Sequence, residues 1–220
     1  MSLNFTVSEE NYLKAIYHLQ ESGGKVTTNA LAEKLNTKAA SVSDMMKKLD
    51  AKKLLNYKPY YGFSLSAEGK RIALAVIRRH RLWEFFLADR LHFDWKEVHS
   101  IAEELEHVSS KKLIDKLDEY LGFPQTDPHG DPIPDSKGKI RQVIAIALDE
   151  LPLHQPAELV QVIDQSADIL EHLKEKNISL GTKVEVKKKY NFDQSLEVRI
   201  KNQTITITQQ LAKSLFVKKV

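Results

Sequence analysis

Residues 27–69 read TTNALAEKLNTKAASVSDMMKKLDAKKLLNYKPYYGFSLSAEG, and they decide the fold of the first third of the chain. Two helical patterns follow each other here, joined by only a few residues. The residues expected to face inward are Leu31, Ala32 and Leu35 in the first helix and Val42, Met45, Met46 and Leu49 in the second. Extended segments on either side of residues 58–62 then predict a small β-hairpin. Helix, turn, helix and hairpin in this order are typical of a winged-helix domain.

The sequence continues in helical patterns on both sides of this stretch. Upstream, Ser8 is expected to cap a helix that runs to about Gln20, because a serine hydroxyl accepts a hydrogen bond from the free N–H groups of a helix start. Downstream, the apolar periodicity predicts three more helices, over 67–91, 94–107 and 109–121. Residues 122–139 are rich in proline and glycine, so they are read as a crossover between domains.

The C-terminal residues 159–220 have a different pattern. Strands are predicted where polar and apolar residues alternate, over 182–189, 195–201 and 203–210, and a helix is expected at about 166–175. These elements predict a compact, barrel-like β domain. The fold class is therefore mainly α with a small β part. The predicted domains are residues 1–73, 74–145 and 146–220, with 157–220 as the core of the third.

The composition excludes several classes of protein. Hydrophobic residues make up 42% and charged residues 29% of the chain, and no run approaches the roughly 18 apolar residues that a membrane span needs. The first residues do not resemble a secretion signal, and there is no cysteine, which suits a cytoplasmic protein without disulfides. Any metal site must then use nitrogen and oxygen ligands.

The net charge of +3 is unevenly distributed along the chain. Residues 1–79 carry 13 Lys/Arg against 7 Asp/Glu, whereas residues 80–135 carry 6 against 13. A basic first third and an acidic middle suggest different partners for the two regions, although drift in composition is the simpler alternative.

The second helix of the predicted helix-turn-helix is the candidate for reading DNA. In this motif the second helix enters the major groove and its first residues meet the base edges. Its small and hydroxylated start would allow a close approach, and its lysines, with Lys58 at the hairpin tip, would meet phosphates. The candidate DNA-binding residues are Thr37, Lys38, Ala40, Ser41, Ser43, Asp44, Lys47, Lys48, Lys52 and Lys58. The alternatives are a winged helix used for protein contact, or a solvated charged helix.

A second candidate site lies in residues 99–107, which read HSIAEELEH. On an ideal helix, four of these side chains share an arc of roughly 100°, namely His99, Glu103, Glu106 and His107. Upstream, His80 and Glu84 form another histidine–glutamate pair one helical turn apart. Carboxylates and imidazoles that converge in a partly buried place favour a divalent cation. The alternatives are a salt-bridge network in a metal-independent regulator and, less favoured because HExxH is absent, a metallohydrolase.

Three motifs in this order after a winged helix carry a family resemblance: HRLWE (80–84), VHSIAEELEHV (98–108) and DPHGDPIP (127–134). The chain resembles the diphtheria toxin repressor family of metal-dependent regulators. The resemblance continues at ISLGTKVEV (178–186), which is similar to the SH3-like domain of the longer members. It implies a winged helix-turn-helix, a helical metal-binding and dimerisation domain, and a C-terminal SH3-like β-barrel.

The resemblance also implies two metal sites, carried over by position. An activating site corresponds to Asn11, Glu103, Glu106 and His107. An ancillary site corresponds to His80, Glu84 and His99, completed in long members from the third domain by residues near Gln161 and Asp164. Some manganese-responsive members instead use the crossover, which makes Asp127 and His129 candidates.

The metal and the biological role follow from the same resemblance. Iron-responsive relatives have cysteine at Glu103, so the harder carboxylate favours Mn²⁺, with Fe²⁺ as the alternative and other divalent transition metals as substitutes in vitro. Asn11 brings no charge, and Lys14 stands where short manganese regulators have a glutamate. The implied protein is a cytoplasmic repressor of metal homeostasis genes. It would be a homodimer, joined by helices around 95–121, that binds a palindromic operator when metal is bound between its DNA-binding and dimerisation domains.

Overall fold

The computed structural model describes residues 5–58, 62–142 and 144–220, without the side chains of Tyr57 and Lys58. These residues form two compact units. The first unit holds the described residues up to His80, together with Glu104–Ile114 and Pro134–Lys139. The second unit holds Arg81–Glu103, Asp115–Ile133 and the described residues from Ile140 onward.

The first unit begins with the predicted winged helix. Its elements are α1 (Val7–Glu21), α2 (Thr28–Lys34), α3 (Ala39–Ala51), β1 (Leu55–Lys58) and β2 (Gly62–Leu65). The two strands pair antiparallel, with Lys58 opposite Gly62, as the hairpin prediction required. The expected cap at Ser8 is wrong, because α1 starts earlier than the hydrophobic pattern indicated. Thr6 caps it in a capping box, in which the Glu9 side chain accepts from the Thr6 N–H.

The core of this unit comes from the predicted helix stripes. Leu31 and Val42 are completely buried, and Met46 is nearly so, whereas Met45 is only half-buried. The hairpin is fixed against the chain that leads into α2, since the Phe63 N–H donates to the Val26 carbonyl at 3.2 Å. A Cβ at Gly62 would lie 2.5 Å from that same carbonyl oxygen, so the approach depends on glycine.

Three helices follow the hairpin: α4 (Ala67–Asp89), α5 (Val98–Leu105) and α6 (Lys111–Tyr120). The predicted helix over 94–107 is wrong at both ends. At its start, the Asp94 carboxylate accepts from the Lys96 N–H and forms a turn instead. At its end, α5 stops at Leu105, and Glu106 and His107 lie in the turn that follows it.

The β domain lies in the second unit. It consists of β3 (Ile146–Ala147), β4 (Pro156–Val162), α7 (Ala167–Glu175), β5 (Lys183–Lys189), β6 (Leu196–Ile200), β7 (Gln203–Ile207), α8 (Gln209–Ser214) and β8 (Leu215–Lys219). All strand pairs are antiparallel, in the order β3-β8-β4-β5-β6-β7. Fully buried side chains such as Leu159, Leu170 and Val198 fill its core. The first two predicted strands and α7 are confirmed. The third predicted strand, 203–210, is wrong at its end, because Thr208 caps α8 and its side chain accepts from the Leu211 N–H. The strand β4 and the pairing of β8 beside it come only from the structure.

Candidate metal centre

A buried group of three potential ligands lies in the second unit. Glu84 comes from α4, and Asp127 and His129 come from the crossover, and their ligand atoms all lie within 4.8 Å of one another. None of the three side chains is more than 1% exposed. His99 joins them from α5, with its Nδ1 3.1 Å from Oε1 of Glu84. The structure therefore brings together one predicted ancillary pair and both crossover candidates.

The local structure of the crossover fixes this group. Oδ1 of Asp127 accepts from the N–H groups of His129 and Asp131, at 2.8 and 3.0 Å, in a turn around Gly130. Nε2 of His129 lies 3.0 Å from the Trp95 carbonyl oxygen. A carbonyl can only accept, so Nε2 carries the hydrogen and Nδ1 keeps its lone pair. That lone pair is on the atom that lies toward Glu84 and Asp127, at 4.0 Å from each carboxylate.

The electrostatics of the group favour an added positive charge. Burial and the nearby carboxylates of Asp131 and Glu84 raise the pKa of Asp127 well above its ordinary value, despite Arg81 at 3.6 Å. Burial lowers the pKa of His129, so the imidazole is neutral. Within the described part of the chain, Asp127 Oδ2 and His129 Nδ1 have no hydrogen-bond partner. Two carboxylates and a neutral imidazole with orphaned buried atoms fit a divalent ion.

A second polar group lies in the first unit and is centred on Glu106. Its carboxylate is 1% exposed and lies 2.7 Å from Nζ of Lys14 and 2.6 Å from Nδ1 of His80. Burial would raise the pKa of Glu106, but the hydrogen bond with His80 and the charge of Lys14 outweigh it, and the pKa is below its ordinary value. Glu106 is therefore a charged carboxylate in the protein interior.

His107 lies beside this carboxylate and is oriented from α1. Its Nδ1 is 2.7 Å from Oε2 of Glu10, whose other oxygen accepts from Arg79 at 2.7 Å. Its Nε2 faces Oε1 of Glu106 at 3.7 Å. A carboxylate on one imidazole nitrogen leaves the other free to bind a metal, and this is the common second-layer arrangement of metal-binding histidines. Glu106 and His107 thus fit as two neighbouring ligands.

The other predicted ligands occupy several places. Asn11 is half-buried on α1 in the first unit. Glu103 belongs to the second unit, where its carboxylate is 3.6 Å from Nε2 of His99. Gln161 donates to Asp131 at 2.6 Å. The Asp164 carboxylate accepts from the Ser166 N–H before α7 and is not part of the group of Glu84.

The predicted DNA-reading helix is α3, and its start is open to solvent. Thr37, Lys38, Ala40, Ser41 and Asp44 are exposed, and Ser43 is half-buried. The lysines are divided among partners. Lys47 makes an exposed pair with Asp44 at 3.4 Å. Lys48 and Lys52 approach the same oxygen of Glu9 at 3.1 and 2.6 Å. The side chain of Lys58 lies outside the described residues.

Sequence reasoning missed the two neighbouring glutamates at the start of α1. Burial would raise the pKa of Glu9, but Lys52, the Thr6 N–H and Lys48 lower it to about 2. Glu10 holds His107. In the sequence, both residues read only as favourable charges in the first turn of a helix. Asp131, which accepts from Gln161 and Gln165, was also missed.

Three family models match the chain, in the order of the predicted domains. Residues 4–63 match the iron dependent repressor N-terminal DNA binding domain, and residues 66–135 match its metal binding and dimerisation domain. Residues 146–219 match the FeoA domain. No helix in the described ranges is long and apolar enough to cross a membrane.

Whole-chain comparisons agree with these matches. The iron-dependent repressor IdeR of Mycobacterium leprae is 30% identical over 189 residues, which cover 80% of this chain and 82% of that protein. A solved manganese-dependent transcriptional repressor in complex with manganese is 34% identical, with a TM-score of 0.89 over 96% of this chain and 100% of that one. The structure of ScaR with bound Cd²⁺ is 30% identical, with a TM-score of 0.82 over 96% of this chain and 99% of that one.

A winged helix followed by a metal-binding and dimerisation domain and a small β domain defines a class, the metal-dependent DNA-binding transcriptional repressors, which are not enzymes. Within this class, the chain belongs to the diphtheria toxin repressor family of iron-dependent repressors. It carries a site for a divalent metal ion. A regulator of this kind works where the DNA is, in agreement with the expected cytoplasmic location.

Proposed function

We propose that the chain is a repressor activated by Mn²⁺, with Fe²⁺ as the alternative metal. The observation that carries this choice is the donor set of the buried group, which contains only carboxylate oxygens and imidazole nitrogen. Mn²⁺ is the hardest of the usual candidates and prefers such ligands. The likeness to a manganese-dependent repressor supports the same choice.

Glu84, Asp127 and His129 are the ancillary ligands in this proposal, with His99 in contact with Glu84. His80 lies one turn before Glu84 on α4. Asp164 and Gln161 stay candidates from the resemblance. The amide of Gln161 already holds Asp131, so we assign it a supporting role in joining β4 to the crossover.

Asn11, Glu103, Glu106 and His107 are the proposed activating ligands. A bound divalent ion supplies positive charge to this set. Glu10 holds the imidazole of His107 so that Nε2 can coordinate. Asn11 lies on the first helix of the winged helix. Binding of the metal ion to this residue therefore favours one orientation of the DNA-binding domain. This is a shift of population, driven by the higher affinity of the ion for that orientation.

The DNA contact in this proposal is made by α3 and its neighbouring lysines. Ser43 and Asp44 would reach base edges. Phosphates would be met by Lys38, Lys47, Lys48, Lys52 and Lys58. A homodimer joined through helices around 95–121 would present two such helices to the half-sites of a palindrome.

The experiment is operator binding by the full chain with Mn²⁺ and with a chelator. Glu106→Ala and His107→Ala should each weaken Mn²⁺-dependent binding by at least about tenfold, since each removes a proposed ligand. Glu104→Ala is the matched control, because Glu104 is exposed on the same stretch and is not a proposed ligand. Operator binding that stays equally metal-dependent in both variants would show that the activating site is assigned to the wrong residues.

A further inference from the structure

The ammonium group of Lys14 forms an ion pair with Glu106, a carboxylate that the proposed activating site requires as a ligand. Its Nζ lies 2.9 Å from Oε1 and 2.7 Å from Oε2 of Glu106, so it contacts both oxygens. The side chain of Glu106 is 1% exposed and that of Lys14 is 15% exposed. Both residues belong to the first unit. The buried negative charge of Glu106 is therefore balanced by the Lys14 ammonium without any metal ion.

The group around Asp127 shows what such a site is like without a lysine. There the carboxylates converge with one arginine at 3.6 Å, and an Asp127 oxygen has no hydrogen-bond donor within the described residues. At Glu106, by contrast, a primary ammonium fills the place where positive charge is needed. A divalent ion that coordinates Glu106 would meet this ammonium at close range in low-dielectric surroundings, where like charges repel strongly. Because Lys14 contacts both oxygens, an ion can coordinate Glu106 only if the ammonium gives up at least one of them.

Lys14 lies on α1 close to Asn11, another proposed ligand, so it competes with the metal ion for Glu106 within the proposed site. Lys14 follows Asn11 by three residues on α1, so the two side chains lie on neighbouring positions of one helix face. Asn11 contributes no negative charge, and Lys14 adds a positive one. The lysine can leave, because its flexible stem lets the ammonium swing into water when it is displaced.

We propose that Lys14 is an internal cation of the activating site, which holds Glu106 in the metal-free protein and which a divalent ion must displace. Lys14 thereby lowers the metal affinity and raises the metal concentration at which the repressor responds. This inference rests on the proposed activating site, in which Glu106 is a ligand.

The test is calorimetric Mn²⁺ titration of the full chain, with thermal unfolding in chelator as a second readout. Lys14→Met should bind Mn²⁺ about tenfold or more tightly, because a neighbouring charge changes the affinity of a carboxylate for a cation by this order. Its metal-free form should unfold at a lower temperature, since Glu106 is left buried without its ammonium, and Mn²⁺ should restore the loss. Lys34→Met, an exposed lysine of α2, is the control and should change neither readout.

Two further variants separate the possible failures. Glu106→Gln should lose one Mn²⁺ per chain. If it keeps the full number, the activating site itself is wrong and the role of Lys14 falls with it. If Glu106→Gln loses the ion but Lys14→Met binds Mn²⁺ no more tightly than the natural chain, only the role of Lys14 is overturned. Lys14→Gln, which keeps a hydrogen-bond donor without the charge, replaces Lys14→Met if that variant folds poorly, and the same gain in affinity is expected.

Discussion

Glu103 is the proposed activating ligand whose side-chain chemistry bears most directly on the preference among metals. Its side chain is 55% exposed and its carboxylate faces His99 at 3.6 Å. A carboxylate is a hard ligand, whereas a thiolate at this position would prefer softer metals. The sequence alone predicts the preference for a hard metal ion at this position, because the hardness of a ligand is a property of its side chain and not of its surroundings.

Replacement of Glu103 by cysteine should change the order of metal preference. We expect Glu103→Cys to favour Fe²⁺, Co²⁺ and Zn²⁺ over Mn²⁺ relative to the natural chain, since the new thiolate binds these ions better. The measurement is the affinity for each metal, with operator binding under each. Glu104→Cys places the same thiol one residue later as a control. An unchanged order in Glu103→Cys, or the same change in both variants, would refute Glu103 as the selecting ligand.

Neighbouring residues with the same side chain have different roles in α1. Glu9 pairs with Lys48 and Lys52 of the α3 segment, whereas Glu10 holds His107 and Arg79. Successive helix positions are separated by about 100°, so adjacent side chains face different partners. Both are buried, which for a carboxylate is stable only with cations or donors beside it. Two adjacent glutamates in the sequence do not indicate which cation or imidazole each of them contacts in the fold.

At the scale of elements, the crossover is held tightly against β4. The Val162 N–H donates to the His129 carbonyl at 2.8 Å. Gly130 has φ +89, and a Cβ there would lie 2.0 Å from the Val160 carbonyl oxygen. Proline and glycine predicted an irregular segment, but they did not indicate that it packs on a strand. The same segment carries Asp127 and His129, whose ligand atoms lie within 4.8 Å of that of Glu84.

Gly130→Ala should therefore separate the crossover from β4. The expected destabilisation is about 2–5 kcal/mol, from a strained positive φ and a clash with backbone that cannot move easily. Gly122→Ala is the matched control, since Gly122 also has a positive φ (+76) but nothing within 4 Å of an added Cβ. It should cost only about 1–2 kcal/mol. Denaturant unfolding measures both, and equal losses in the two variants would contradict the close approach. Mn²⁺ affinity at the Glu84 group should fall in Gly130→Ala alone.

At the scale of the whole molecule, the chain joins a basic DNA-binding domain to metal-binding and β-rich domains. The matched families confirm the predicted order of the three parts, while the boundaries after residues 73 and 145 stay a prediction. Exposed apolar side chains such as Leu91, Phe93 and Tyr120 lie in or beside the segment proposed for dimer contact. Operator affinity in the proposed dimer then depends on two copies of each phosphate contact, one from each subunit.

Lys48→Ala should reduce the salt dependence of operator binding. Lys48 is 50% exposed and can leave Glu9 for a phosphate. Removing one phosphate contact lowers the slope of log affinity against log salt by about 0.9, so a dimer should show a decrease of about 1.8. Lys213→Ala, an exposed lysine of α8 in the β domain, should leave the slope unchanged. A Lys48→Ala slope equal to that of the natural chain would exclude a phosphate role.

The sequence by itself determined the winged helix, the β domain and the kinds of ligand available. These features depend on residues a few positions apart, such as the stripe of α3 or the alternation in β5, and on side-chain chemistry. Helix ends were less well determined, because competing turns at Asp94 and after Leu105 make α5 shorter than its pattern.

Only the tertiary structure decided which charges meet. Lys14 and Glu106 are 92 residues apart, and Glu10 and His107 are 97 apart, so no local pattern links them. The ionised form of a buried carboxylate is stabilised by whichever cation the fold places beside it. Glu106 is therefore paired with a lysine, whereas Glu84, Asp127 and His129 lie together in an arrangement that fits a divalent metal ion.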